Sequence, residues 1–129
     1  MNYLITERQY NLIKEDNELS FTFDFFNNDW DLVLSAMKGR PFHIQGDLFF
    51  VQQPVESLGN LQSVSGNLTL YYTHIKTLGP LKSVGGGLYL DASKLEDLGD
   101  LEFVGRGAFL DDTKIETLKN LKSVGGDLS

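Results

Sequence analysis

The sequence predicts an α/β solenoid: an N-terminal α/β cap over residues 1–43, followed by stacked coils of about twenty residues over 44–129. Three observations carry this. Apolar residues recur at a fixed step of twenty, the sign of a repeat architecture. Each period holds a short alternating stretch behind a glycine turn. The first 41 residues escape the period and carry helix and strand signals of their own.

The columns are explicit. Ile44, Val64, Val84, Val104 and Val124 form one; Leu48, Leu68, Leu88, Ala108 and Leu128 a second; Phe50, Leu70, Leu90 and Leu110 a third. Val55, Ile75, Leu95 and Ile115 continue the set, as do the leucines at 58, 78, 98 and 118 and those at 61, 81, 101 and 121. Four full units run through 46–65, 66–85, 86–105 and 106–125, and a fifth begins at Gly126. Each unit opens on a glycine turn (Gly66-Asn67, Gly86-Gly87, Gly126-Asp127), where positive φ is expected. A period-two stretch follows, Leu68-Thr69-Leu70 or Leu88-Tyr89-Leu90, which predicts a short strand with its leucines inward. Ile75, Leu78, Leu81 and Val84 then recur every three residues, the spacing of a 3₁₀-like or irregular return segment. A lone coil of this size buries too little to offset its ordering entropy, so coils must stack and share a parallel ladder.

This grammar resembles the leucine-rich repeat in its short, roughly twenty-residue form found in bacterial and phage proteins. Leu68-Thr69-Leu70, Thr73, Ile75 carries the resemblance, as do Leu88-Tyr89-Leu90, Ser93, Leu95 and Ala108-Phe109-Leu110, Thr113, Ile115. The ladder position holds hydroxyl residues in place of asparagine, and Gln53 in the first unit. A stacked Thr/Ser column is expected to bond the backbone of the adjacent coil. What the resemblance implies is recognition of a protein on the strand face.

In the cap, Thr6 followed by Gln9 is a capping-box signature, so a helix is expected over 7–15. Residues 19–26 alternate, with Phe21, Phe23 and Phe25 on one side of an expected strand. Asn27-Asn28-Asp29 offers a turn and an N-cap; Trp30, Val33, Leu34 and Met37 follow at helical spacing until Gly39 and Pro41. The aromatic side is expected to pack near Phe42, Ile44 and Phe50.

Composition narrows the function. The formal net charge is −7, from 18 acidic and 11 basic residues, and the lysines and arginines do not cluster. Direct nucleic-acid binding is therefore disfavoured. Absence of cysteine excludes disulfides and thiolate metal sites. Met1–Arg8 does not read as a signal peptide and no apolar run reaches membrane-span length, so a cytoplasmic, soluble chain is expected. His43 and His74 lack a second histidine at ligand spacing, and Ser63, Ser83 and Ser123 share one repeat column, so no catalytic set converges and a non-enzyme without cofactor is expected. Gly85-Gly86-Gly87 lacks the lysine and helix of a phosphate loop.

The outward strand positions are the candidate site. Phe49, Tyr89 and Phe109, with Tyr71, Asp91 and Asp111 two residues further along and Asp112 beside Asp111, are expected to face away from the core. Aromatics not needed for folding mark contact surfaces; the acids suit a basic partner or, less well, a hard cation. The expected role is a non-enzymatic protein-binding module, of the kind a phage or bacterial inhibitor or adaptor of a host protein would use. Two alternatives stand beside it: a self-assembling structural protein joined through an open C-terminal strand edge, giving a homo-oligomer, and a protein that sequesters a small ligand.

Overall fold

In the computed structural model, which describes residues 19–129, the chain is a mixed α/β protein whose parallel strands form two sheets and do not close into a barrel. The helix expected over 7–15 lies outside the described residues. No helix among those described is long and apolar enough to cross a membrane.

Strand β1 (Leu19–Thr22) opens a six-stranded sheet, continued by β2 (Phe42–Gln45), β4 (Leu61–Val64), β6 (Ser83–Val84), β8 (Phe103–Val104) and β10 (Ser123–Val124). The second sheet orders β3 (Leu48–Val51), β5 (Leu68–Tyr71), β7 (Leu88–Tyr89) and β9 (Ala108–Phe109). Every pairing is parallel, and the twenty-residue step becomes register: Leu48 faces Leu68, Leu68 faces Leu88, and Leu88 faces Ala108. Ser63, Ser83, Phe103 and Ser123 align in the same way in the first sheet. The core lies between the sheets. Leu68, Leu70, Ile75, Leu78, Leu81 and Val84 are all fully buried, as are their counterparts Leu88, Leu90, Leu95, Leu98 and Leu101.

Four expectations are corrected. The strand expected over 19–26 stops at Thr22, and Phe23–Phe26 forms a 3₁₀ turn. The cause is the partner: β2 pairs only as far as Thr22↔Gln45, and the chain then bends at Gly46, φ 82°, so Phe23 finds no ladder. Phe21, Phe23 and Phe26 are buried and Phe25 is half-buried. The return segment is not irregular to its end; it closes in the strands of the six-stranded sheet, too short at Ser83–Val84 for alternation to announce them. The hydroxyl column bonds its own unit rather than the next one. Thr73 Oγ1 donates to the Leu70 carbonyl (3.2 Å), Thr113 Oγ1 to that of Leu110 (2.8 Å), and Ser93 Oγ accepts the Leu95 N–H (3.4 Å).

The glycine turns are the fourth. Gly66, Gly86 and Gly126 do not have positive φ. The left-handed corners fall on Gln52, Tyr72, Ala92 and Asp112, and again on Gly59, Gly79, Gly99 and Lys119. Glycines at 85, 105 and 125 answer a different need: a Cβ on each would overlap the carbonyl oxygen twenty residues earlier, on Ser65, Gly85 and Gly105.

The helix α1 (Trp30–Met37) forms as expected, with the Asp29 carboxylate capping the Leu32 N–H and Lys38 closing it in the left-handed region. Trp30, Val33, Ala36 and Met37 are buried. The aromatic run meets Phe42 and Phe50: Phe21 stacks on Phe42 (centroids 5.8 Å apart, planes 6° apart), while Phe23 and Trp30 meet Phe50 edge-on at 5.5 and 5.4 Å.

Candidate functional site

The four-stranded sheet turns its leucines inward, so the residues between them face outward. Phe49, Thr69, Tyr89 and Phe109 are register partners across β3, β5, β7 and β9. Val51 and Tyr71 pair next to them. The ladder carries on past the short strands, from the Leu90 N–H to the Phe109 carbonyl (2.9 Å) and from the Ala92 N–H to that of Asp111 (2.9 Å). Asp91 and Asp111 therefore continue the row of Tyr71.

The aromatic row is not uniform. Phe49 is 60% exposed, Thr69 is buried, and Tyr89 and Phe109 are half-buried. The difference lies two residues upstream. A Cβ on Gly87 would stand 2.7 Å from Cε2 and Oη of Tyr89, and one on Gly107 would stand 2.8 Å from Cε2 and Cζ of Phe109. The two rings thus lie back along their strands into room that only glycine leaves, stacked on each other with centroids 5.2 Å and planes 7° apart. Before Phe49 the same position is Asp47, whose carboxylate caps the Asn67 N–H (2.8 Å), and Phe49 has no such niche. Asn67 passes the bond on to the Gly87 N–H (2.7 Å).

Of the acids, Asp91 is half-buried and accepts the Asp111 N–H (2.9 Å), so the repulsion between like charges on adjacent strands is partly answered by a backbone donor. Asp111 and Asp112 are exposed. Asp112 stands on a left-handed corner, φ 58°, at the rim. None of the three belongs to an ion pair among the described residues. No group of three or more His, Cys, Asp or Glu that could hold a metal ion assembles among the described residues. Burial, then the Asp91 carboxylate, then Tyr89 hold the Tyr71 phenol above its ordinary pKa. That coupling puts Tyr71, Asp91 and Tyr89 in one electrostatic neighbourhood.

One exposed aromatic was not singled out from the sequence. Tyr72 is 58% exposed on a left-handed corner (φ 56°), next to Tyr71 at the rim of the face. Its signal was the doubled aromatic at one step of an otherwise mixed column. His43 Nδ1 lies 2.6 Å from Ser63 Oγ across β2 and β4. Their separation of twenty residues was visible, but the second sheet that makes it a contact was not. His74 is exposed.

Open crevices lie elsewhere among the described residues. One of about 530 Å³ runs over the six-stranded sheet along Ser63, Ser83, Phe103 and Ser123. Another, about 550 Å³, lies between the start of α1 and residues 53–57. No protein-family model, curated protein or solved structure matches the chain.

Proposed function

We propose that residues 44–129 form a solenoid of the leucine-rich-repeat kind, closed at one end by the α/β segment before it. Its function is non-enzymatic recognition of a protein partner, as an inhibitor or adaptor, on the outward face of the four-stranded sheet. The observation that supports this reading is the row Phe49, Tyr89 and Phe109 with Tyr71 in the row beside it, aromatic side chains on the side of the sheet away from the core. Burying them contributes nothing to the core between the sheets, whereas aromatic rings held in place at low entropic cost are the side chains that dominate protein contacts.

Selection of a random peptide library on the immobilised protein tests the reading. A Phe49→Ala/Tyr89→Ala/Phe109→Ala variant, first shown to keep its far-ultraviolet circular dichroism, serves as counter-target. Peptides enriched on the native protein and lost on the variant are the expected result. Equal enrichment on both, or none on either, refutes it.

A further inference from the structure

Beside the aromatic row runs a row of a different kind. Tyr71, Asp91 and Asp111 follow it two residues further along the strands, a displacement of about 6.6 Å at 3.3 Å per residue. Neighbouring strands are about 4.8 Å apart. The face therefore offers an apolar strip and, two residues further along the backbone, carboxylates on two adjacent units. Neither carboxylate is in an ion pair among the described residues. The chain as a whole carries net charge −7, so its field adds to theirs and does not cancel it.

We infer that the occupant of this face is an extended, arginine-bearing segment of a partner protein, its arginine stems lying along Tyr89 and Phe109 and its guanidinium groups bonded to Asp91 and Asp111. The inference rests on the surface reading given above and adds the chemistry of the partner. Three features of the face fit this side chain. An arginine stem covers apolar surface while its head stays with polar groups, so a stem laid over the rings carries its head along the strand towards the acids. The planar fork bonds carboxylates in pairs. Guanidinium is also less strongly hydrated than ammonium and packs against aromatic rings. Asp91 already accepts the Asp111 N–H with one oxygen, which fixes its orientation and leaves the other for a single-oxygen contact, while the exposed Asp111 carboxylate is the one placed to meet the fork with both oxygens.

The probe is a peptide of alternating arginine and serine, blocked at both ends, with leucine–serine and glutamate–serine peptides of the same length as controls. Binding to the full chain is followed by fluorescence anisotropy at two salt concentrations. The arginine peptide is expected to bind, more weakly at higher salt, and the glutamate peptide not at all. Asp91→Asn/Asp111→Asn is expected to weaken it about tenfold, and Tyr89→Ala about fivefold. A charge-matched pair, Asp31→Asn/Glu56→Gln, takes two acids from the crevice beside α1 and is expected to leave affinity within about twofold, since both are exposed and line that crevice and not the face.

Equal weakening by the two acid pairs would mean that net charge alone attracts the peptide, and would overturn the inference. So would a leucine peptide that binds as tightly as the arginine peptide. Should the arginine peptide fail while the library still yields binders that need Phe49, Tyr89 and Phe109, the surface reading stands and the basic occupant falls. Should both fail, both fall.

Discussion

Replacing Gly105 by alanine tests the close stacking of the six-stranded sheet. The added Cβ would meet the Gly85 carbonyl, overlapping its oxygen and standing 2.8 Å from its carbon. Carbon atoms in contact prefer about 3.5–4.0 Å, so the two segments must part by roughly an ångström. Neither is free to do so. The Gly105 N–H is bonded to the Val84 carbonyl at 2.8 Å, and the Gly85 N–H to that of Val64 at 2.8 Å. Beneath them Val84 and Val104 are buried. Overpacking of this kind costs about 1–3 kcal/mol; with ladder bonds strained on both sides, about 3 kcal/mol is expected. Urea unfolding followed by far-ultraviolet circular dichroism is the assay, read as a lower midpoint with unchanged slope. Gly79→Ala is the internal standard. Gly79 has φ 58° and nothing within 4 Å of an added Cβ, so its loss is the backbone term alone, about 1 kcal/mol. If Gly105→Ala costs no more than Gly79→Ala, the backbones do not approach as described and the explanation of the glycine column is wrong.

Further outcomes are expected elsewhere. Gly87→Ala should lift the Tyr89 ring out of its niche and break the stack on Phe109, with a reduced near-ultraviolet dichroism signal and a stability loss of about 1 kcal/mol or less; an unchanged spectrum would contradict the niche. Asp97 is held below the usual carboxylate range, first by the Thr77 hydroxyl (2.6 Å); burial, the next largest effect, opposes this, and the Gly99 N–H and Lys119 (3.8 Å) lower it further. A depressed folded-state pKa means stability that is present above the unfolded pKa and lost as pH falls through the folded one. The native protein should therefore lose under about 1 kcal/mol more than Asp97→Asn on acidification below about pH 4, a modest figure because the group is partly solvated. An identical acid dependence for the two proteins would refute it. Lys119 occupies with φ 48° the corner that Gly59, Gly79 and Gly99 fill in earlier units, so Lys119→Gly should raise the urea midpoint, by a stability gain of about 0.5 kcal/mol, the relief of left-handed strain less the added entropy of the unfolded chain. A lowered midpoint would show that the Asp97 pair outweighs the corner.

The twenty-residue register and the inward leucines were legible because burial on a stacked unit leaves one periodic mark per column. Other features were hidden for reasons that can be named. Ser83–Val84 is two residues long, and its strand comes from pairing with Ser63–Val64 and Phe103–Val104, which no local pattern records. Phe23 and Phe25 alternate as a strand should, yet the length of β2 decides where β1 ends. Glycine was read as a turn signal, whereas Gly85 and Gly105 serve close approach and the left-handed turns use Tyr72 and Ala92. At the candidate face, the outward sense of Phe49, Tyr89 and Phe109 followed from alternation. Their unequal exposure did not, because it depends on whether residue 47, 87 or 107 leaves space for a ring.

The units also serve as each other's control. Each pairs with its neighbours in the same register, so a position meets nearly the same backbone surroundings in every unit. Where the units agree, as at Leu68 and Leu88 or Gly85 and Gly105, stacking accounts for the choice: a buried column takes a leucine, and a carbonyl in close approach takes a glycine. Where they differ on the outward face, stacking does not choose. Phe49, Thr69, Tyr89 and Phe109 share one environment type and yet span a hydroxyl and three rings; Val51, Tyr71, Asp91 and Asp111 run from aliphatic to acid. Cross-strand pairing accounts for the Tyr89–Phe109 stack, but not for Phe49, which stands 60% exposed beside a threonine. Nor does it account for carboxylates on adjacent units, where like charges oppose pairing. This variation lies on a surface that folding leaves free, and its composition, rings beside acids, is the part of the sequence that a bound partner would explain.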